Sequence, residues 1–308
     1  MKVIYGLRNV KKFKKPVIAL GVFDGVHLGH CNILKGAACK ARAIRGTSIA
    51  LTFDPHPQKE ESLTSLAHRL RLIAAQGIRV CIVINFNRHF KDIGANEFVK
   101  NILVKKLGAY YVFVGDNFRY GKKAAGDVTA LQQSAKMYHF KVKVFRFIRS
   151  NYHPVSSTYI RNLIKQGKLA AAQKLLCRPV TVLGSVIRGT KVGRRLGFPT
   201  ANIDPHHEVI PPKGVYAAMI TLGKRKFPGI CNIGTRPTVM KAGKVHIEVN
   251  IFDFHENIYG KYLEIEFLKK IRNEKKFSST AALIDQIRND ITFAKDLCPR
   301  TRSSATPH

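Results

Sequence analysis

Through the first half of the chain, short apolar runs alternate with stretches of helical spacing. PVIALGVF (Pro16–Phe23), SIALTF (Ser48–Phe53), VCIVINF (Val80–Phe86), YYVFVG (Tyr110–Gly115) and KVKVFRF (Lys141–Phe147) predict strands. The first four are almost continuously apolar, the pattern of strands covered on both faces. Between them Cys31–Arg45 and Ser65–Gln76 have helical character, and Ala95–Leu107 carries Phe98, Ile102, Leu103 and Leu107 on one side. This alternation predicts an α/β, doubly wound parallel sheet flanked by helices, with its ligand beyond the carboxyl ends of the strands.

Near Cys177-Arg178-Pro179 the pattern changes. VTVLGSVIRG, GVYAAMITLG, KFPGICNIG, VHIEVNIFDF and KYLEIEFLKKI follow one another closely, punctuated by glycine and proline. Such spacing predicts an all-β antiparallel barrel or sandwich. A terminal helix is expected over Ser278–Leu297, with Ala282, Ile284, Ile287, Ile291 and Ala294 among its apolar positions and Ser278 or Ser279 as its cap. The break falls between Leu176 and Val180, giving domains 1–178 and 179–308.

The length of 308 residues accommodates those two domains. At 45% hydrophobic and 23% charged residues, a disordered chain is excluded. The apolar stretch Val17–Phe23 ends at Asp24, too short for a membrane helix or a signal peptide, so a cytoplasmic protein is expected. Cys31, Cys39, Cys81, Cys177, Cys231 and Cys298 form no CxxC pair and read as small buried hydrophobes. The net charge of +34 is spread along the whole chain. A field for polyanionic ligands and a lineage of basic proteins explain it equally well.

Three segments carry candidate chemistry. GVFDGVHLGH (Gly21–His30) joins the first strand to a helix; its glycines permit a tight turn, and the helix N-terminus offers N–H groups to phosphate. His27 and His30, three apart, can turn toward one phosphate and donate to oxygens that gain charge as a leaving group departs. VSSTYIR (Val155–Arg161) opens a helix, so Ser157 and Thr158 read in isolation as caps, while their hydroxyls with Arg161 also suit triphosphate oxygens. In the second half VIRGTKVGRRLGFPTANI (Val186–Ile203) is a basic loop punctuated by Gly189, Gly193 and Gly197, without a GxxxxGK[ST] signature. The alternation of Val245, Ile247, Val249 and Ile251 leaves Glu248 on the less apolar face, which fits either a solvent-facing or a working carboxylate.

These motifs, in this order from Gly21 to about Asp290, resemble the bifunctional bacterial riboflavin kinase/FAD synthetase family. HxGH and SSTxIR look like the elements of the nucleotidyltransferase superfamily, which implies a Rossmann-like first domain. VGDNFRYGKKAAGD (Val114–Asp127) and TFDPHP (Thr52–Pro57) are similar to loops of its flavin adenylyltransferases. The resemblance implies that Gly21, Phe23, Asp24, Gly25, Gly29, Asn117, Ser157, Thr158 and Arg161 bind ATP beside the catalytic His27 and His30. It gives Phe118, Arg119 and Gly121 a shaping role and His56 a ligand contact; Asp54-Pro55 reads equally as a structural turn. In the second domain it implies a riboflavin-kinase barrel. There Thr200 and Asn202 of PTAN ligate Mg²⁺, Glu248 is the base for the riboflavin hydroxyl, and Gly189, Gly193, Gly197, Pro199 and Arg272 bind ATP or flavin. Asn250 departs from the His common in the family. The substrates implied are riboflavin, FMN and ATP, with no membrane and no specific nucleic acid as partner. The alternatives are a chain retaining one activity, or a basic RNA-binding protein on a synthetase-like fold.

Overall fold

A computed structural model of the chain describes residues 1–55, 61–146, 148–150, 153–189, 192–235 and 245–298. Met1–Ile160 with Leu175–Cys177 form one compact unit; Arg161–Lys174 and the chain from Arg178 onward form a second.

In the first unit the strands β1 (Lys2–Tyr5), β2 (Pro16–Leu20), β3 (Thr47–Asp54), β4 (Val80–Asn85), β5 (Tyr111–Gly115) and β6 (Lys141–Phe145) make a parallel sheet in the order β1-β4-β3-β2-β5-β6. Both faces are covered, which accounts for the continuous apolar runs. Val17 and Ala19 pack with Leu34, Ala37 and Ala41 of α1 (Leu28–Ala43). Ile18 and Leu20 face the other way, into a core with Phe98, Leu103 and Leu131. α2 (Leu66–Ala75) begins where expected, capped by the Ser65 hydroxyl accepting from the His68 N–H at 3.3 Å. After α3 (Arg88–Lys91), α4 (Ala95–Glu97) runs into a π-helical stretch, Phe98–Lys106, closed by the Leu107 N–H donating to the Ile102 carbonyl at 2.9 Å. The apolar positions 98, 102–103 and 107 lie far enough apart to face one side of this wider helix. α5 (Val128–Met137), the antiparallel pair β7 (Arg149–Ser150) and β8 (His153–Pro154) and the start of α6 (Ser157–Lys165) follow; the rest of α6 and most of α7 (Leu169–Leu176) belong to the second unit.

There β9 (Thr181–Ile187), β10 (Ala201–Asp204), β11 (Gly214–Leu222), β12 (Arg225–Thr235), β13 (Val245–Ile251) and β14 (Tyr262–Arg272) close an antiparallel barrel in the order β10-β13-β12-β11-β14-β9. A short helix, α8 (Val192–Arg195), interrupts the glycine-punctuated segment. The last helix, α9 (Thr280–Leu297), is capped by Ser279, one of the two serines expected. It lays Ile291, Ala294 and Leu297 on Val215, Ala217, Ile230 and Phe252 of the barrel.

Four strands escaped the pattern reading: β1, a sheet edge of four residues with only half-buried aliphatic positions; β7 and β8, two residues each; and β10, four residues long inside the glycine-rich segment. The cysteine reading needs correction too. Cys31, Cys81, Cys231 and Cys298 are buried, but Cys39 and Cys177 are exposed; Cys39 sits on the outer face of α1, where Arg42 donates to its sulfur at 3.1 Å. Among the described residues no helix is long and apolar enough to cross a membrane.

Ala294 has no exposed surface where α9 meets the barrel. Ala294→Leu should overpack that contact and cost about 1–3 kcal/mol, measured as a lower urea midpoint without loss of helical signal.

Candidate active sites

β2 lies between β3 and β5, so the order of the strands reverses at its carboxyl end. An open α/β sheet receives its ligand at such a point, and Gly21–His30 occupies it. The turn runs through positive φ at Phe23 (55°), Gly25 (73°) and Val26 (37°). Gly25 is required on two counts: its φ favours glycine, and a Cβ there would lie 2.5 Å from Leu63 Cδ1.

Asp24 anchors this turn. It is 1% exposed, and its carboxylate accepts the N–H groups of Leu63 and Thr64, each at 3.0 Å, and the Thr64 hydroxyl at 3.3 Å. Charge-assisted bonds of this kind offset the cost of burying a carboxylate. An Asp expected among the phosphate-binding residues thus has its oxygens turned to the neighbouring loop.

His27 is the N-cap residue of α1 but makes no side-chain capping bond, and His30 follows in the first turn. Their rings stack with centroids 3.7 Å apart and planes 20° off parallel, and Phe23 meets His30 edge-on at 5.3 Å. The expected pair is therefore brought together. Burial, with help from the charges of His27 and Arg69, holds His30 well below the ordinary histidine pKa. It is neutral near pH 7 and offers a proton on one ring nitrogen only.

Arg69, beside this turn, is not among the residues expected from the sequence. It projects from α2 with 1% exposure and donates to the carbonyls of Val22 (3.1 Å) and Phe53 (2.9 Å), with Asp54 at 3.7 Å. It ties the loop after β2 to the end of β3. Burial lowers its pKa against the opposing pull of Asp24 and Asp54. The available signal was an arginine on the inward stripe of an amphipathic helix, between Leu66 and Ile73.

At α6 the capping bond belongs to Ser156, whose hydroxyl accepts from the Tyr159 N–H at 3.2 Å. Ser157 is free for another task and donates to the Asp24 carbonyl at 2.9 Å. Thr158 is exposed, and Arg161, one turn on, is buried. Beyond β5, Tyr120 and Gly126 exchange backbone bonds, the Arg119 guanidinium pairs with Asp127 at 3.2 Å, and Asn117 is exposed. Gly21 and Gly29 back onto the rings of Phe23 and His27. His56 lies outside the described residues.

In the barrel the site is a row of side chains set by strand register. Asn202 on β10 stands opposite Glu248 on β13, Glu248 opposite Asn232 on β12, Asn232 opposite Val215 on β11, and Val215 opposite Arg272 on β14. Directly opposed residues share a face, so Asn202, Glu248, Asn232 and Arg272 line one side of the wall. Asn232 was missed as a candidate because the pattern of its strand says nothing of its neighbours. The Arg272 guanidinium is oriented by Asp290 of α9, at 2.8 and 2.9 Å, and lies over the Phe277 ring.

Gly189 and Gly193 are close-approach glycines. A Cβ on Gly189 would collide with the Asn202 amide, and one on Gly193 would lie 3.0 Å from the Thr200 hydroxyl. Gly197 takes φ 87°, and Pro199 is exposed at the mouth of a cavity of about 540 Å³. That cavity is lined by Thr200 and Arg194 and by the opposite faces of the same strands, through Val186, Ala201, Val249 and Ile251.

His30 gives a prediction with a definite sign. Its folded pKa is depressed, whereas unfolded it titrates near 6.5. Below that pH the unfolded chain takes up a proton that the folded chain refuses, so stability is full above about 6.5 and falls as pH drops toward the folded value. Urea unfolding at stepped pH should show this loss, and His30→Gln should flatten it.

The comparisons with known proteins bear on both sites. The family model for FAD synthetase matches residues 9–159, and that for riboflavin kinase matches 176–298. A bifunctional riboflavin kinase/FMN adenylyltransferase of Buchnera aphidicola subsp. Schizaphis graminum is 37% identical over 96% of this chain and 98% of its own length. The Escherichia coli protein of the same name is 35% identical over 98% of this chain and 99% of its own. A crystal structure described as a macrolide-efflux protein from Streptococcus pneumoniae is similar in fold, with TM-score 0.83, 26% identity and coverage of 97% and 100%. With relatives matched end to end at this identity, the chain belongs to the bifunctional riboflavin kinase/FMN adenylyltransferase family.

Proposed function

We propose that the chain makes FAD from riboflavin in two ATP-dependent steps, one in each unit, with the residues described above in the working roles. The observation that carries this reading is that each fold presents its motif where that fold offers a site. HxGH stands at the switch point of the sheet, and Asn202 and Glu248 face each other across two barrel strands, with Thr200 just beyond the end of β10.

In the barrel, Glu248 accepts the proton of the riboflavin 5′-hydroxyl as its oxygen attacks the γ-phosphorus of ATP and ADP leaves. The Thr200 hydroxyl, the Asn202 amide oxygen and the nearby Glu248 carboxylate are hard oxygen donors, a set that fits Mg²⁺. When bound, the ion would offset the negative charge of the phosphates. Arg272, fixed by Asp290, supplies a set of oriented donors at the far end of the row.

In the α/β unit, a phosphate oxygen of FMN attacks the α-phosphorus of ATP, and the bond to pyrophosphate breaks. His27 and neutral His30 donate to phosphate oxygens at the N-terminus of α1, where unpaired N–H groups add to the field. Phe53, Phe86 and Phe90 cluster at 5.7–5.8 Å at the carboxyl ends of β3 and β4, and Phe118 stacks on Tyr120 after β5. The half-buried rings at this end of the sheet give a flat flavin an aromatic seat.

The test is a timed product assay with riboflavin, ATP and Mg²⁺. FMN should appear first and FAD follow; no flavin turnover would overturn the reading. Changing His27 and His30 together to Ala should lower FAD formation at least about 10²-fold and spare FMN formation. Glu248→Gln should lower FMN formation about 10²–10⁴-fold while FAD still forms from supplied FMN. Loss of both activities from either change would contradict two separate sites.

A further inference from the structure

We propose that Asn250 is a positioning residue of the kinase half, clamping the backbone at Pro199 so that Thr200 and Asn202 present their oxygens together to the metal-bound phosphates. The inference rests on the kinase reading above.

The pairing of β10 on β13 sets Ile203 opposite Ile247, Asn202 opposite Glu248 and Ala201 opposite Val249, and there it stops. Backbone hydrogen bonding thus fixes Asn202 but ends one residue short of Thr200. The next residue on β13 is Asn250, and its side chain takes over where the ladder ends. It is 8% exposed, and its Nδ2 donates to the Pro199 carbonyl at 2.8 Å. On its other side Thr200 is bounded by Gly193. Asn250 lies two residues beyond Glu248 and so on the same face, which puts the proton acceptor and the clamp on one strand. A buried amide meets its hydrogen-bonding need through this contact, and a hydrophobe of the same size would fill the space without holding the carbonyl.

Three variants of the full chain separate the clamp from mere packing. Asn250→Leu keeps the shape and removes the donor. Asn250→Asp does the same with a charge and carries the test if the Leu variant does not fold. Asn250→His restores a donor, because Nδ1 of imidazole is bonded to Cγ as the amide nitrogen of Asn is. Calorimetric binding of ADP with and without Mg²⁺ is the primary readout, with steady-state kinetics beside it.

Asn250→Leu should weaken Mg–ADP binding about tenfold and metal-free ADP binding by less than about twofold. The KM for Mg–ATP should rise, while adenylyl transfer to FMN in the same molecule stays at the wild-type rate. Asn250→His should recover most of the Mg–ADP affinity. Unchanged Mg–ADP affinity in both Leu and Asp variants would overturn the clamp, and so would an equal loss with and without metal. Wild-type chain that forms no FMN from riboflavin would instead sink the kinase reading itself, which keeps the two failures distinguishable.

Discussion

A closed barrel has no free edge, and closure allows each strand one register with its neighbours. In the second unit that constraint sets the row of side chains proposed for the kinase chemistry. Asn202, Glu248, Asn232 and Arg272 come from four strands spread over the length of the unit, and none is near another in sequence except through pairing. Because successive residues point to opposite faces, a slip of one residue on β13 would turn Glu248 into the cavity side and bring Val249 onto the row. The packing of Ile247 and Val249, each 1% exposed, opposes such a slip. Hydrophobic burial thus fixes the position of a carboxylate it does not touch.

The first unit solves the same problem with polar groups. Its sheet delivers the turn after β2 to the switch point, but the turn's backbone is strained at Phe23 and Val26 and needs outside support. Asp24 supplies it by accepting two backbone N–H groups from the loop before α2, while Arg69 crosses from α2 to the carbonyls of Val22 and Phe53. Ser157 adds a bond from α6 to the Asp24 carbonyl. The histidines are therefore carried on a turn held from three directions, and the burial that achieves this also keeps His30 uncharged. A neutral imidazole donates to a phosphate oxygen without a proton having to be taken up first.

The two sites place their chemistry by different means. The barrel puts side chains on rigid strands and lets the glycines of a loop close over them, as Gly189 does on Asn202. The α/β unit puts them on a turn at a helix N-terminus, a place suited to phosphate. Positioning to within fractions of an ångström matters in both, since phosphoryl and nucleotidyl transfer ask the protein for alignment and charge compensation more than for covalent participation.

The sequence by itself determined the fold class, the two-part organisation, a helix start at Ser278 or Ser279, and the ordered motifs from which the site candidates are drawn. These are local properties: apolar period, glycine at turns, hydroxyls at helix starts, and ordered strings of residues. Tertiary structure alone decided the rest. That Ser156 rather than Ser157 caps α6 follows from the geometry of the first turn, which frees Ser157 for Asp24. That Arg69 reaches the turn after β2 depends on which loops α2 packs beneath, and that Asn232 stands opposite Glu248 and Asn250 reaches Pro199 depends on register across strands far apart in the chain. β1 and β10 are too short for a period to emerge, and only their partners make them strands. A period repeated along one segment reports which face is buried; which residues meet across that face is set by pairing and closure, which no single segment contains.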